Sequence, residues 1–256
     1  MGFGIDMNKI KILIVTVFLT AFGGATYADY SDGTVAYDKG DYKTALKEWQ
    51  LLADQGVSDA QFNLGLMYDK GRGVLKDDKQ AFKWYRKAAE QGDAEAQYNL
   101  GLMYGKGRGV FKDDKQAFKW YRKAAEQGYS DAQFILGVMY EEGIGILKNL
   151  EEAKAWYQKS AEQDNANAQY ALGMMHFSGN GVLEDDKQAF KWIRKSAEQG
   201  NAKAQHVSGI MYASGNGVLV DYKEAKFWIK KAYENSSPEV SKKSKEVWNA
   251  LELWKY

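Results

Sequence analysis

Along this chain the apolar positions recur three and four residues apart, in two alternating blocks. One block reads AQFNLGLMY from Ala60, AQYNLGLMY from Ala96, AQFILGVMY from Ala132, AQYALGMMH from Ala168 and AQHVSGIMY from Ala204. The other reads AFKWYRKAAEQG from Ala81 and again from Ala117, AKAWYQKSAEQD from Ala153, AFKWIRKSAEQG from Ala189 and AKFWIKKAY from Ala225. Both return every 36 residues without a slip, and Ala45 of ALKEW lies 36 residues before Ala81. A period of that length marks an architecture of stacked small units.

Each unit reads as two helices. In the first, Ala60, Leu64, Met67 and Tyr68 share one face, and Gly65 beside Leu64 permits close approach of a neighbouring helix. The turn Gly71-Arg72-Gly73 stops it. The second helix opens on Asp77 with Gln80 three residues on, repeated as Asp113/Gln116, Asn149/Glu152, Asp185/Gln188 and Asp221/Glu224. This pairing resembles a capping box with Asp or Asn at the cap. Ala81, Trp84, Ala88 and Ala89 form the buried face, and Gly92 ends the helix. One hairpin cannot bury both of its faces, so consecutive hairpins are expected to stack.

The ends depart from the frame. Tyr37 to Ala45 is five residues shorter than Tyr68 to Ala81, which predicts a first hairpin with a short loop. Ser236-Ser237-Pro238-Glu239 reads as a helix start with Pro238 at its first position, and Trp248, Leu251 and Trp254 form a stripe that covers the last repeat. The expected divisions are a capping repeat over 29–59, five repeats over 60–95, 96–131, 132–167, 168–203 and 204–236, and a closing helix over 237–256.

Ahead of these lies a predicted signal peptide, residues 1–28. Lys9 and Lys11 flank the apolar run Ile12 to Phe22, and Thr26-Tyr27-Ala28 fits a cleavage site after Ala28, leaving Asp29 as the mature start. Met7 serves as well as Met1 for the start. The run is shorter than the roughly 20 residues that span a bilayer, so no stable membrane insertion is expected after cleavage. The expected location is periplasmic or secreted. Cleavage removes Lys9, Lys11 and Asp6, which leaves acidic and basic residues in equal number.

Composition narrows the chemistry. A single proline against 26 glycines suits helices joined by glycine turns. The absence of cysteine excludes disulfides, thiolate metal sites and cysteine nucleophiles. With 35 basic and 34 acidic residues there is no field to favour nucleic acid, and the lysines at 242, 243 and 245 are too few to create one.

The motif Ala-x-x-x-Leu-Gly-x-x-Tyr-x-x-Gly-x-Gly-Val, then Asp-x-x-x-Ala-x-x-Trp-x-x-Lys-Ala-Ala-x-x-Gly, resembles the Sel-one-like repeat (SLR) family, a branch of the tetratricopeptide-like (TPR-like) solenoids. Ala60, Leu64, Gly65, Tyr68, Gly71, Gly73, Val74, Asp77, Ala81, Trp84, Lys87, Ala88, Ala89 and Gly92 carry it in the first repeat. The resemblance implies an all-α, right-handed α-solenoid of tandem helix-turn-helix repeats, expected to be monomeric. His176 in place of tyrosine, Ser208 in place of leucine and Asp164 in place of a closing glycine suggest looser packing around the fourth and fifth repeats.

Catalytic signatures are missing. The Gly-x-Gly pairs at 71/73, 107/109, 143/145, 179/181 and 215/217 lack the strand and third glycine of a dinucleotide loop and the Gly-Lys-Ser/Thr of a P-loop, so they read as turns. His176 and His206 are the only histidines, and neither belongs to a zinc-binding pattern. The pairs Asp77-Asp78, Asp113-Asp114 and Asp185-Asp186 sit at helix starts, where they complement the dipole. Lys83, Arg86 and Lys87 read as a solvated face. No catalytic residue, cofactor or metal is expected.

The family register implies a concave wall lined by the first helices. Its third position gives Phe62, Tyr98, Phe134, Tyr170 and His206, and its fourth gives Asn63 and Asn99. Positions ten and eleven give Lys106, Glu141, Glu142 and Phe177, whose charge changes along the axis. The aromatic ladder reads either as packing between repeats or as a partly exposed stripe for an extended peptide. The expected function is a non-catalytic scaffold of the bacterial envelope or secreted fraction, binding a protein or peptide partner. The alternative, implied by cysteine-rich relatives alone, is binding or hydrolysis of a β-lactam or cell-wall fragment. Against it stand the missing cysteines and the missing Ser-x-x-Lys, Ser-Asp-Asn and Lys-Thr-Gly motifs.

Overall fold

A computed structural model describes residues 30–234 and 237–255; the predicted leader, its cleavage after Ala28 and the choice of starting methionine lie outside the described residues. The chain runs as a succession of helical hairpins. The first pairs α1 (Tyr30–Asp38) with α2 (Tyr42–Asp54). Five repeats follow: α3 (Ser58–Lys70) with α4 (Asp78–Glu90), α5 (Ala94–Lys106) with α6 (Asp114–Glu126), α7 (Ser130–Glu142) with α8 (Leu150–Glu162), α9 (Ala166–Ser178) with α10 (Asp186–Glu198), and α11 (Ala202–Ser214) with α12 (Tyr222–Glu234). The closing helix α13 (Pro238–Ala250) and a 3-10 turn (Leu253–Lys255) complete an all-α solenoid with no strand among the described residues.

Glycine decides where the two helices of a hairpin touch. A Cβ on Gly65 would lie 2.5 Å from the Tyr85 ring, and one on Gly137 would lie 2.5 Å from that of Tyr157. The residue after each repeat tryptophan, unremarked in the sequence pattern, is thus a buried floor: Tyr85 and Tyr157 are each 1% exposed, and Ile193 and Ile229, which replace the tyrosine in the last two repeats, are fully buried. The turn glycines set the contact between hairpins. Gly109 and Gly145 have φ near 70°, and a Cβ there would meet the Asp78 or Asp114 carbonyl oxygen of the preceding repeat at 2.1 and 2.2 Å.

The second helices are capped as expected. Asp77 Oδ1 accepts from the N–H groups of Lys79 and Gln80 at 2.8 and 3.1 Å, and Asp113, Asn149, Asp185 and Asp221 do the same. The capping box is only half formed. The cap's own N–H donates to the first helix, Asp77 to the Tyr68 carbonyl at 3.0 Å, so the bond that Gln80 would make in a full box ties the hairpin instead.

The hairpins lean on one another through apolar clusters that straddle repeats. Trp120 packs with Ala88 and Ala89 of the hairpin before it, and Trp192 packs with Ala153 and Ala161. Lysine stems cover the indoles, with Lys87 Nζ 4.3 Å from the Trp84 ring and Lys123 Nζ 4.3 Å from Trp120, so part of the solvated basic face is also packing.

A buried glutamine series runs through the stack. Gln97 donates to the Ala89 carbonyl of the preceding hairpin at 3.1 Å and accepts from Gln127 at 2.8 Å. Gln61, Gln133 and Gln169 repeat both bonds.

At the C-terminal end Pro238 opens α13, and Val247, Trp248 and Leu251 pack on Trp228 and Ile229, with Leu253 fully buried. The Trp254 side chain lies outside the described part. Asp164 adopts φ 61° in the glycine position, and Gln169 donates to its carboxylate at 3.2 Å. Ser208 is fully buried with its hydroxyl unpartnered, and His176 Nδ1 is also without a partner among the described residues.

Candidate functional site

Helices α7 and α9, with the starts of α11 and α13, enclose a groove of about 810 Å³. Phe134 and Tyr170 come from the third position of their repeats, Glu141 and Glu142 from positions ten and eleven. All four line this groove together. Tyr157, Met174, Asn167, Asn180, Lys203 and Val240 line it too and were not singled out in the sequence. The visible signal was Asn180, which stands where Arg72 and Arg108 stand in earlier repeats.

The ladder rings have two sides. Phe62, Tyr98 and Phe134 pack against Tyr85, Tyr121 and Tyr157 with centroids 5.7, 5.6 and 5.9 Å apart, and each keeps an accessible edge. Packing and partial exposure therefore coexist in one residue.

The remaining candidates lie outside the groove lining. Asn63 donates to the Tyr30 hydroxyl of the first hairpin at 2.8 Å, Asn99 donates to the Glu95 carbonyl at 3.0 Å, and Lys106 is exposed. Phe177 packs with the cluster of the last repeats. His206 Nδ1 meets Ser244 Oγ of α13 at 3.0 Å, so the closing helix engages the last rung of the ladder.

The carboxylates near the ends of the first helices differ in their partners. Asp69 is held by Arg108 from the next turn, which also bonds Asp78 at 2.5 Å. Glu141 holds the position of Asp69 two repeats on, and the place of Arg108 is taken by Asn180. Its partner is the Tyr157 hydroxyl, which donates to Glu141 Oε2 at 2.6 Å. Burial and this carboxylate both push the Tyr157 phenol upward, keeping it a neutral donor. Neither Glu141 nor Glu142 forms an ion pair among the described residues. No three His, Cys, Asp or Glu side chains converge as a metal site would require among those residues.

The sequence profile of the Sel1 repeat matches residues 58–93, 94–129, 130–165, 166–201 and 202–237. The chain belongs to the Sel1 repeat family. Among solved structures this Sel1 repeat chain is similar to a Sel1 repeat protein from Oxalobacter formigenes. That match has 38% identity and a TM-score of 0.78, over 84% of this chain and 88% of the other. It is also similar to a protective antigen of uropathogenic Escherichia coli strains displaying an SLR fold, at 33% identity and TM-score 0.79, over 93% of this chain and 50% of that one. A Sel1 repeat protein of Klebsiella pneumoniae, at 22% identity and TM-score 0.50, shares the fold over 79% of this chain and 98% of its own. No curated protein matches significantly.

The Sel1 frame separates constant from variable positions. The small, apolar and glutamine positions described above build the stack. Positions 69, 105, 141, 177 and 213 hold Asp, Gly, Glu, Phe and Ala, so this one register position changes chemistry from repeat to repeat. The turns also present one almost fully exposed large apolar residue per Sel1 repeat: Leu75, Phe111, Leu147, Leu183 and Leu219. Among the described residues no helix is long and apolar enough to cross a membrane.

Proposed function

We propose that this Sel1 repeat chain is a non-catalytic scaffold that holds a protein or peptide partner along the wall of first helices, acting in the bacterial envelope or the secreted fraction. The observation that carries this reading is the groove, where Phe134 and Tyr170 supply aromatic edges and Glu141 and Glu142 supply charge on a rigid support. Aromatic anchors flanked by polar groups are what protein interfaces favour. The leader-like segment around Lys9, Lys11 and Ile12 to Phe22 supports export.

The experiment changes Tyr98→Ala, Phe134→Ala and Glu141→Gln together. A partner captured by the wild-type chain is lost while helicity is unchanged. Wild-type capture by the triple variant would refute the assignment of the wall.

A further inference from the structure

We infer that the groove between α7 and α9 selects a basic segment of its partner, seating a lysine or arginine side chain between Phe134 and Tyr170 with its cation at Glu141. The inference rests on the reading of the wall as a peptide-binding surface and adds the chemistry of the guest.

The internal comparison between repeats is the ground for it. Where a wall carboxylate occurs in the first repeat, the chain supplies its own cation: Asp69 is paired with Arg108, 39 residues later. Glu141 repeats the carboxylate, and the residue 39 positions later is the uncharged Asn180, which lines the same groove. Tyr157 satisfies one oxygen of Glu141 by a neutral bond at 2.6 Å and leaves the charge in place. Glu142 beside it adds a second carboxylate.

Cations do approach the groove from the α11 and α13 side, as Lys203 and Lys243. They are accompanied there by Glu239, which bonds Lys243 Nζ at 2.8 Å and sits within electrostatic reach of Lys203. On the α7 side neither Glu141 nor Glu142 is ion-paired among the described residues. The groove is also the right shape of chemistry for a long basic side chain. Phe134, Tyr170 and Met174 offer an apolar channel for the methylene stem, and Glu141 and Glu142 line the same groove.

The test uses the full chain and pools of capped decapeptides, degenerate except for one fixed central residue, read by fluorescence anisotropy at physiological salt. Arginine- and lysine-centred pools are expected to bind about 10-fold or more tightly than a norleucine-centred pool, the size of one charge-assisted contact. Two variants should erase that preference with melting and helicity retained: Glu141→Gln with Glu142→Gln, and separately Asn180→Arg, which restores the internal pairing seen at Asp69. Binding without a basic preference would overturn the inference and leave the wall reading standing. A basic preference that survives both variants would overturn it as well, because the cation is then bound elsewhere. Failure of every pool to bind the wild-type chain would overturn the wall reading and this inference with it.

Discussion

Gln133 on α7 donates its side-chain amide to the carbonyl of Ala125, at the end of the preceding hairpin, at 3.1 Å. The same glutamine accepts from Gln163 at 2.7 Å, so one buried side chain fixes three helices. Unmade buried hydrogen bonds are costly, which gives this series a stabilising and registering role that apolar contact alone lacks.

Gln133→Met should therefore destabilise the chain by about 1–2 kcal/mol, since it removes the buried bond to the Ala125 carbonyl together with the bond from Gln163, whose amide stays open to solvent. Gln205→Met should cost less, because Gln205 Oε1 has no partner among the described residues and only the bond to Ala197 is lost. Urea unfolding of the two variants measures the difference. Equal losses would mean that the series is not coupled.

The glycine contacts predict a graded response. Alanine in a helix gains about 1 kcal/mol over glycine in intrinsic propensity, and overpacking costs about 1–3 kcal/mol. A Cβ at position 137 lies 2.5 Å from the Tyr157 ring, whereas at position 101 the nearest ring atom of Tyr121 is at 3.0 Å. Gly137→Ala should lower the melting temperature, and Gly101→Ala should change it little. A stabilised Gly137→Ala would show that the hairpin is looser than described.

Ser208 offers the opposite case. It fills the position of Leu64, Leu100, Leu136 and Leu172, is fully buried, and its hydroxyl has no partner among the described residues. Ser208→Ala should stabilise by about 1 kcal/mol, because an unpaired hydroxyl leaves the interior. Thermal melts decide this, and a lower melting temperature would reveal a bond that the packing conceals.

Acidification should loosen the C-terminal end. His206 has its imidazole held below the usual value of 6.5, first by burial and then by Lys243 of α13. His176 is lowered too, by burial and then by Lys154. A depressed imidazole is protonated more readily in the unfolded chain, so its contribution is complete above about pH 6.5 and declines as pH falls toward the lowered folded value. Denaturant midpoints at pH 7.5 and 5.5 should fall for the wild-type chain and fall less for His206→Gln. A midpoint that rises on acidification would contradict the assignment.

The repeat frame was legible because small and apolar residues return at one spacing, as Ala81, Ala117, Ala153, Ala189 and Ala225 do. The caps were legible for the same reason, although the sequence pattern did not reveal that Asp77 N–H turns to the Tyr68 carbonyl. That bond joins two helices, and local spacing describes only one. Gln61 and Gln91 were equally periodic, yet a polar residue gives no sign of burial until its partners are placed. The groove was half legible. Register brought out Phe134, Tyr170, Glu141 and Glu142, but Val240 and Lys203 come from elements far along the chain whose approach only folding creates.

The most direct measurement places a photoreactive benzoylphenylalanine at Tyr170 in the groove, with Lys119 on the exposed side of α6 as the control, in the full chain made by its own cells. The expected result is a discrete adduct to a partner protein from position 170 and none from position 119. Absence of an adduct at position 170, whether or not position 119 gives one, would contradict the claim that this solenoid works by holding a partner along its wall of first helices.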